Sequence, residues 1–212
     1  MKKQLLQVLA SALLLLSACG NSTLGPSSSE DWFPLTVGNW WLYQYDGSSA
    51  DGIDTLIYAG SIQKRVTGLI DHNDGFQLYE LRSIADITTT EAGSSTTSVD
   101  TSFIYLRQTS EEFRLYYSTL SNQYDVLIKY PVTLNETWML SDSFPGGYEV
   151  TDITALLHTP AGNFSNCAVI TESWWQFLTR EYSYHRGTGL VKRVHSSDYY
   201  DAVETLQSFN IQ

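Results

Sequence analysis

Apolar and polar residues alternate along most of the chain with a period of two, which is the pattern of a half-buried β-strand. Residues 124–129 (YDVLIK) place a tyrosine, a valine and an isoleucine at every second position. Only residues 198–207 tolerate a helix, and we expect a closing strand there as well. The same alternation, rich in β-branched and aromatic residues, predicts further strands over 40–45, 55–68, 76–87, 102–108, 113–118, 147–158, 181–186, 190–195 and 203–211.

Short turn motifs separate several of these strands and favour antiparallel pairing between neighbours. The longest apolar segment, 167–178, has apolar residues on both faces and is predicted to be one central strand of the sheet. Residues 88–101 (TTTEAGSSTTSVDT) are predicted to be a Ser/Thr-rich loop at a hairpin tip. The turn motifs are NDG at 73–75, PGG at 145–147, TPAG at 159–162 and GTG at 187–189.

An internal repeat relates the two parts of the chain. Residues 33–42 (FPLTVGNWWL) align with residues 130–139 (YPVTLNETWM), which places Trp41 against Trp138. The sequence therefore predicts a mainly β fold, an antiparallel curved sheet or partly open barrel built from a duplicated β unit. We expect a single domain over 32–212, with repeat halves 32–129 and 130–212.

The amino terminus carries a targeting signal. Two lysines precede an apolar run over residues 5–16, which is too short to span a bilayer. The run ends in Leu-Ser-Ala before Cys19, which resembles a bacterial lipobox, and this resemblance implies removal of residues 1–18 and acylation of Cys19. Residues 19–31, rich in Ser, Gly and Pro, are predicted to be a flexible tether. We expect a lipid-anchored protein of the bacterial cell envelope, in the outer membrane if the cell is Gram-negative.

Composition and charge narrow the class of partner. The chain has a formal net charge of -11, and its charged fraction of 17% is low, whereas aromatic residues make up 13%. A negative protein repels nucleic acid, so no nucleic-acid partner is expected. The expected partners are the membrane, through the lipid on Cys19, and a lipid, a glycan or another envelope protein.

The sequence offers no candidate catalytic residue, no metal site and no cofactor. The four histidines lack metal-ligand spacing, and no nucleophile or phosphate-loop motif is present. If Cys19 carries lipid, Cys167 has no disulfide partner in the chain and is predicted to be a buried core residue. We therefore predict a non-catalytic protein.

Two adjacent tryptophan pairs are the candidate ligand-binding residues. Neighbouring residues of a strand point to opposite faces, so each pair puts one ring on each face. One hypothesis is that a ring of each pair lines an open concave face; the alternative is that both faces are covered by other parts of the protein. The candidates are Trp40, Trp41, Trp174 and Trp175.

Three motifs carry a family resemblance. The FPLxxGxxWxY opening at 33–43, TPAGxFxxC at 159–167 and GxGLVK at 187–192 resemble a group of uncharacterised bacterial lipoproteins. The resemblance implies an antiparallel β lipoprotein without an assigned activity. We expect a binding protein with a curved aromatic-rich sheet. The alternatives are a structural or interaction lipoprotein without a pocket, and a hydrolase with histidine and carboxylate groups in one cleft.

Overall fold

The computed structural model describes residues 31–50, 55–141, 144–174 and 178–212, and every regular element in these ranges is a β-strand. The predicted signal, Cys19 and the predicted tether up to residue 30 lie outside them. The strands are β1 (Trp40–Ala50), β2 (Thr55–Asp71), β3 (Gln77–Glu91), β4 (Ser94–Gln108), β5 (Glu112–Tyr116), β6 (Tyr124–Lys129), β7 (Thr137–Ser141), β8 (Phe144–Thr159), β9 (Gly162–Trp174), β10 (Leu178–His185), β11 (Gly189–Ser197) and β12 (Tyr200–Asn210).

All twelve strands belong to one antiparallel sheet in the order β6-β5-β4-β3-β2-β1-β12-β11-β10-β9-β8-β7. The sheet consists of two six-stranded meanders, β1–β6 and β7–β12, which are joined by the pairing of β1 with β12. The edge strands β6 and β7 do not pair, but the indole of Trp138 on β7 donates a hydrogen bond to the carbonyl of Val126 on β6 (2.7 Å). The sheet therefore curls until its edges meet without closing. The predicted mainly β, antiparallel and curved fold is confirmed.

The two meanders begin with the same local structure. The amide of Gly38 donates to the carbonyl of Val66 (2.9 Å), and the amide of Asn135 donates to the carbonyl of Val150 (2.8 Å). Gly38 and Asn135 both have positive φ, at 100° and 65°. The alignment of residues 33–42 with residues 130–139 places Gly38 against Asn135. Residues 130–136 connect the two meanders along the chain, and the predicted boundary between the repeat halves lies at the start of this segment. A common origin of the halves stays a prediction.

The segment before β1 packs into one end of the curled sheet. The ring of Phe33 lies between Trp41 and Phe113, with ring centroids 4.7 and 5.3 Å away. The carbonyl of Asp31 accepts a hydrogen bond from the amide of Gly187 (2.7 Å). Asp31 is thus held by the fold, which begins at least one residue before the predicted boundary at residue 32. The buried apolar side chains of the segment are Trp32, Phe33 and Leu35.

Three predicted boundaries were wrong. The apolar segment 167–178 is not one strand, because β9 ends at Trp174 and β10 begins at Leu178, opposite it in a hairpin. Residues 145–147, predicted as a turn, lie in β8. Residues 88–101, predicted as a loop, are the ends of β3 and β4, with only Ala92 and Gly93 between the strands.

Candidate functional site in the curl of the sheet

The strand register places a row of charged and aromatic residues on the concave face. Directly opposite residues of paired strands share a face. Trp41 on β1 lies opposite Lys64 on β2. Tyr45 is on the same face of β1, four residues after Trp41, and lies opposite Glu204 on β12. Glu204 in turn lies opposite Arg193. Positive, negative and aromatic side chains of β1, β2, β11 and β12 therefore meet inside the curl.

Two cations share one buried carboxylate at this point. The Nζ of Lys64 lies 3.0 Å from Oε2 of Glu204, and Nη2 of Arg193 donates to Oε1 of the same side chain. The side chain of Glu204 is only 1% exposed, against 16% for Lys64 and 36% for Arg193. The Lys64 ammonium also lies 4.9 Å from the centroid of the Tyr43 ring, a cation–π arrangement. This group, Lys64, Arg193 and Glu204, is called the ion cluster below.

Burial and charge act in opposite directions on the cluster. Burial alone would raise the pKa of Glu204, but Lys64 and Arg193 outweigh it, so the pKa lies below its ordinary value and the carboxylate is charged. Burial lowers the pKa of Lys64, Glu204 opposes this effect, and the positive charge of Arg193 adds to it. A single carboxylate thus partners two cations that repel each other.

A second buried ion pair lies on β9 and β10 and is balanced in charge. Nη1 of Arg180 donates to Oε1 of Glu172 (3.1 Å), and the hydroxyl of Tyr182 donates to Oε2 (2.6 Å). Burial, followed by the charge of Glu172, raises the pKa of Tyr182, so its hydroxyl stays protonated and acts as a donor. This pair leaves no unmatched charge.

A cavity of about 140 Å³ lies in the curl beside the ion cluster. The first meander contributes mainly leucine side chains to its wall, among them Leu106 and Leu115. The second meander contributes Tyr182, Tyr184, Leu190 and Arg193, and β2 contributes Lys64. The cavity is therefore apolar on one side and cationic on the other, and it requires both meanders.

The predicted tryptophans do not converge on this cavity. Trp41 is fully buried, and its indole donates to the carbonyl of Thr188 (2.5 Å), so its ring is part of the core. Trp40 lies on the opposite, convex face and is partly exposed. Trp174 is partly exposed at the end of β9, and Trp175 lies outside the described residues. Of the three described rings, none lines the cavity; a binding role for these residues stays a prediction.

A second, more polar depression of about 390 Å³ lies beside the segment that precedes β1. The guanidinium of Arg186 stacks over the Trp32 ring at 4.7 Å, and Nδ1 of His185 hydrogen-bonds Oγ1 of Thr188 (2.9 Å). Burial lowers the pKa of His185, so its imidazole is neutral at neutral pH. The imidazole of His185 and the guanidinium of Arg186 thus each have a partner within the protein.

The arrangement of the histidines bears on the hydrolase alternative. His195 lies on the concave face, and its Nδ1 accepts a hydrogen bond from Nε of Arg180 (3.4 Å). Burial, together with Arg180 and Arg193, lowers its pKa. Within the described ranges, no group of three or more histidine, cysteine, aspartate or glutamate side chains is arranged to hold a metal ion. The non-catalytic character of the protein stays a prediction.

The remaining cysteine is a core residue. Cys167 is fully buried, its Sγ contacts the carbonyl of Phe164 (3.7 Å), and burial raises the pKa of its thiol to about 11. A thiol with such a pKa is almost wholly protonated at neutral pH and is a poor nucleophile. The predicted burial of Cys167 is confirmed.

Sequence reasoning missed the ion cluster and the Arg180–Glu172 pair. Glu172 gave a local signal, because it is the one charged residue in the largely apolar segment 167–178. Lys64 and Glu204 gave none, because they are 140 residues apart and meet across β1. Their contact follows from the strand order, which the sequence pattern did not specify.

Comparison with known proteins yields distant structural similarity. No protein-family model matches the sequence, and no protein with a curated description matches it. A candidate lipoprotein from Parabacteroides distasonis superposes with a TM-score of 0.43 at 16% identity, over 85% of this chain and 99% of that one. A β-barrel-like protein of a domain of unknown function from Brucella abortus superposes with a TM-score of 0.36 at 10% identity, over 85% and 100%. Similarity at this level carries no information about ligand or activity. No helix within the described ranges is long and apolar enough to cross a membrane.

Proposed function

We propose that this protein is a lipid-anchored envelope protein that binds a small apolar ligand, or the apolar part of a larger one, in the curl of its sheet. The observation that carries the proposal is the cavity of about 140 Å³ with its leucine-rich wall. An apolar cavity of roughly 150 Å³ in another protein stays free of water and binds benzene. A ring or a short alkyl segment therefore matches the available volume.

The structure favours an apolar ligand over a glycan. A sugar site needs exposed aromatic faces, but Trp41 is fully buried in the core. The carboxylates on the concave face, Glu172 and Glu204, already accept hydrogen bonds from arginine, lysine and tyrosine side chains. The remaining wall of the cavity is chiefly hydrocarbon, which gains from contact with hydrocarbon.

Membrane anchoring rests on the Leu-Ser-Ala-Cys motif that ends at Cys19. Growth of the producing cells with an alkyne-tagged fatty acid tests it. We expect the wild-type protein to incorporate the tag and the Cys19→Ala variant to incorporate none. Cys167→Ala is the matched control, because it removes the other cysteine and must leave labelling unchanged. Labelling of Cys19→Ala at the wild-type level would refute the anchor.

Ligand binding is tested with 1-hexanol, a neutral probe close to benzene in size, by calorimetric titration. The full chain carrying Cys19→Ala is used, so that no acyl group of its own occupies the cavity. We expect saturable binding that is lost in Leu115→Trp, because the larger ring fills the cavity.

Leu120→Trp is the matched control for this titration. Leu120 is 74% exposed in the turn after β5, so the same substitution there leaves the cavity open. Thermal unfolding of both variants establishes that they are folded. No hexanol binding by the parent chain, or equal binding by the parent and Leu115→Trp, would overturn the proposal.

A further inference from the structure

We propose that the ligand in this cavity carries a single negative charge at one end, as a monocarboxylate with a short apolar tail does. This inference rests on the proposed function and adds the chemistry of the ligand's polar end. The cavity wall presents Lys64 and Arg193 together, next to leucine side chains. A carboxylate placed between the two cations would leave its hydrocarbon tail against the leucines.

The charge count of the ion cluster favours an anion. Lys64 and Arg193 carry two positive charges, and Glu204 supplies one negative charge. Arg180 and Glu172 neutralise each other on the neighbouring strands. Among these described residues of the concave face, one positive charge therefore remains unmatched.

The two cations retain donors for a ligand. The guanidinium of Arg193 has five N–H donors, and its hydrogen bond to Glu204 uses one nitrogen, Nη2. The ammonium of Lys64 has three donors, and one is directed to Oε2 of Glu204. Arg193 is the more exposed of the two side chains, at 36%. A carboxylate can thus be bound without displacing Glu204.

The negative charge of the whole chain weakens anion binding at this site only slightly. Exposed charges farther away than about 8 Å are largely screened at physiological ionic strength. The formal net charge of -11 therefore slows the approach of an anion more than it weakens the final contact. Lys64 and Arg193 act at contact distance.

Three probes with the same six-carbon chain test the inference: hexanoate, 1-hexanol and hexylamine. They are titrated into the full Cys19→Ala chain at neutral pH. A charge-assisted hydrogen bond predicts that hexanoate binds about tenfold more tightly than hexanol. Hexylamine, which is positively charged, is expected to bind more weakly than both.

A matched pair of variants locates the anion site. Lys64→Met and Arg65→Met each remove one positive charge from β2, but Lys64 faces the cavity and Arg65 is exposed on the convex face. We expect Lys64→Met to reduce the preference for hexanoate over hexanol about tenfold and Arg65→Met to leave it unchanged.

The possible results separate the two proposals. Hexanol binding equal to or tighter than hexanoate binding would overturn the anionic ligand and leave the apolar cavity standing. Binding of none of the three probes would overturn both. If Lys64→Met does not fold, the order of affinities for the three probes on the parent chain still decides the question.

Discussion

Glu204 is the residue on which the charged interior depends. It is 1% exposed, accepts hydrogen bonds from two cations, and lies on β12, which pairs with β1. Removing one partner of a buried ion pair is far more costly than the pair's net contribution, because an uncompensated charge remains. Here two cations would lose the counter-charge that they share.

We therefore expect Glu204→Gln to lower the free energy of unfolding by about 3 kcal/mol, allowing for the partial exposure of Arg193. Urea denaturation of the full Cys19→Ala chain measures this. Glu149→Gln, at an exposed position on β8, is the matched control, and we expect a change within about 0.5 kcal/mol there. Equal effects of the two substitutions would show that the cluster does not stabilise the fold.

The pH dependence of stability follows from the same residue. The pKa of Glu204 is lowered in the folded protein, so its contribution is fully present above the unfolded pKa of about 4.3. The contribution is lost as the pH falls from there through the folded pKa. Glu204→Gln is expected to flatten the decline in stability below about pH 4. Urea denaturation at several pH values measures this decline. The same decline below about pH 4 in Glu204→Gln and in the parent chain would contradict this expectation.

The strands show what can be predicted from hydrophobic alternation and what cannot. Most strands were predicted because one of their faces is buried and the other is not. The end of β9 at Trp174 and the start of β10 at Leu178 were missed because the sequence there (SWWQFL) is mostly apolar and has no glycine, proline or asparagine. Such a sequence gives neither an alternation that stops nor a turn signal.

The outer part of the β3–β4 hairpin was missed for the opposite reason. Every residue from 91 to 103 is exposed, so apolar and polar residues do not alternate there. Its strands are held instead by backbone pairing and by hydroxyl contacts such as Thr88 Oγ1 to Thr97 Oγ1 (2.9 Å). Ser/Thr composition alone cannot distinguish such a ribbon from a loop.

At the scale of the whole molecule, the cavity depends on how the curled sheet is held. Its wall combines leucines of the first meander with Tyr184 and Arg193 of the second, so it exists only while the two meanders face each other. Tertiary contacts of this kind could not be predicted from the sequence, because they depend on curvature and on which strands meet. Trp138 provides a hydrogen bond between the two free edges.

We expect Trp138→Phe to loosen these edges. The substitution keeps an aromatic ring next to Tyr148 but removes the indole donor to the Val126 carbonyl, at a cost of about 1 kcal/mol. Amide hydrogen exchange should accelerate in β6 and β7 and remain unchanged in the central strands β1 and β12.

Trp40→Phe is the control for this experiment, because Trp40 is partly exposed on the convex face, away from the edges. Unchanged exchange in β6 and β7 of Trp138→Phe would show that the edges are held by other contacts.

The strand order has a consequence for folding and association. Each meander can form from neighbouring strands, but the pairing of β1 with β12 joins segments separated by most of the chain. Until that pairing forms, each meander exposes an unpaired strand whose complement is present in every other copy of the chain. Residues 130–136 are the covalent link between the two meanders of one chain. Two chains could therefore exchange their second meanders, with Lys64 of one chain meeting Glu204 of the other. The cavity would then form twice in an intertwined dimer, and the protein concentration during refolding would determine how much of the dimer forms.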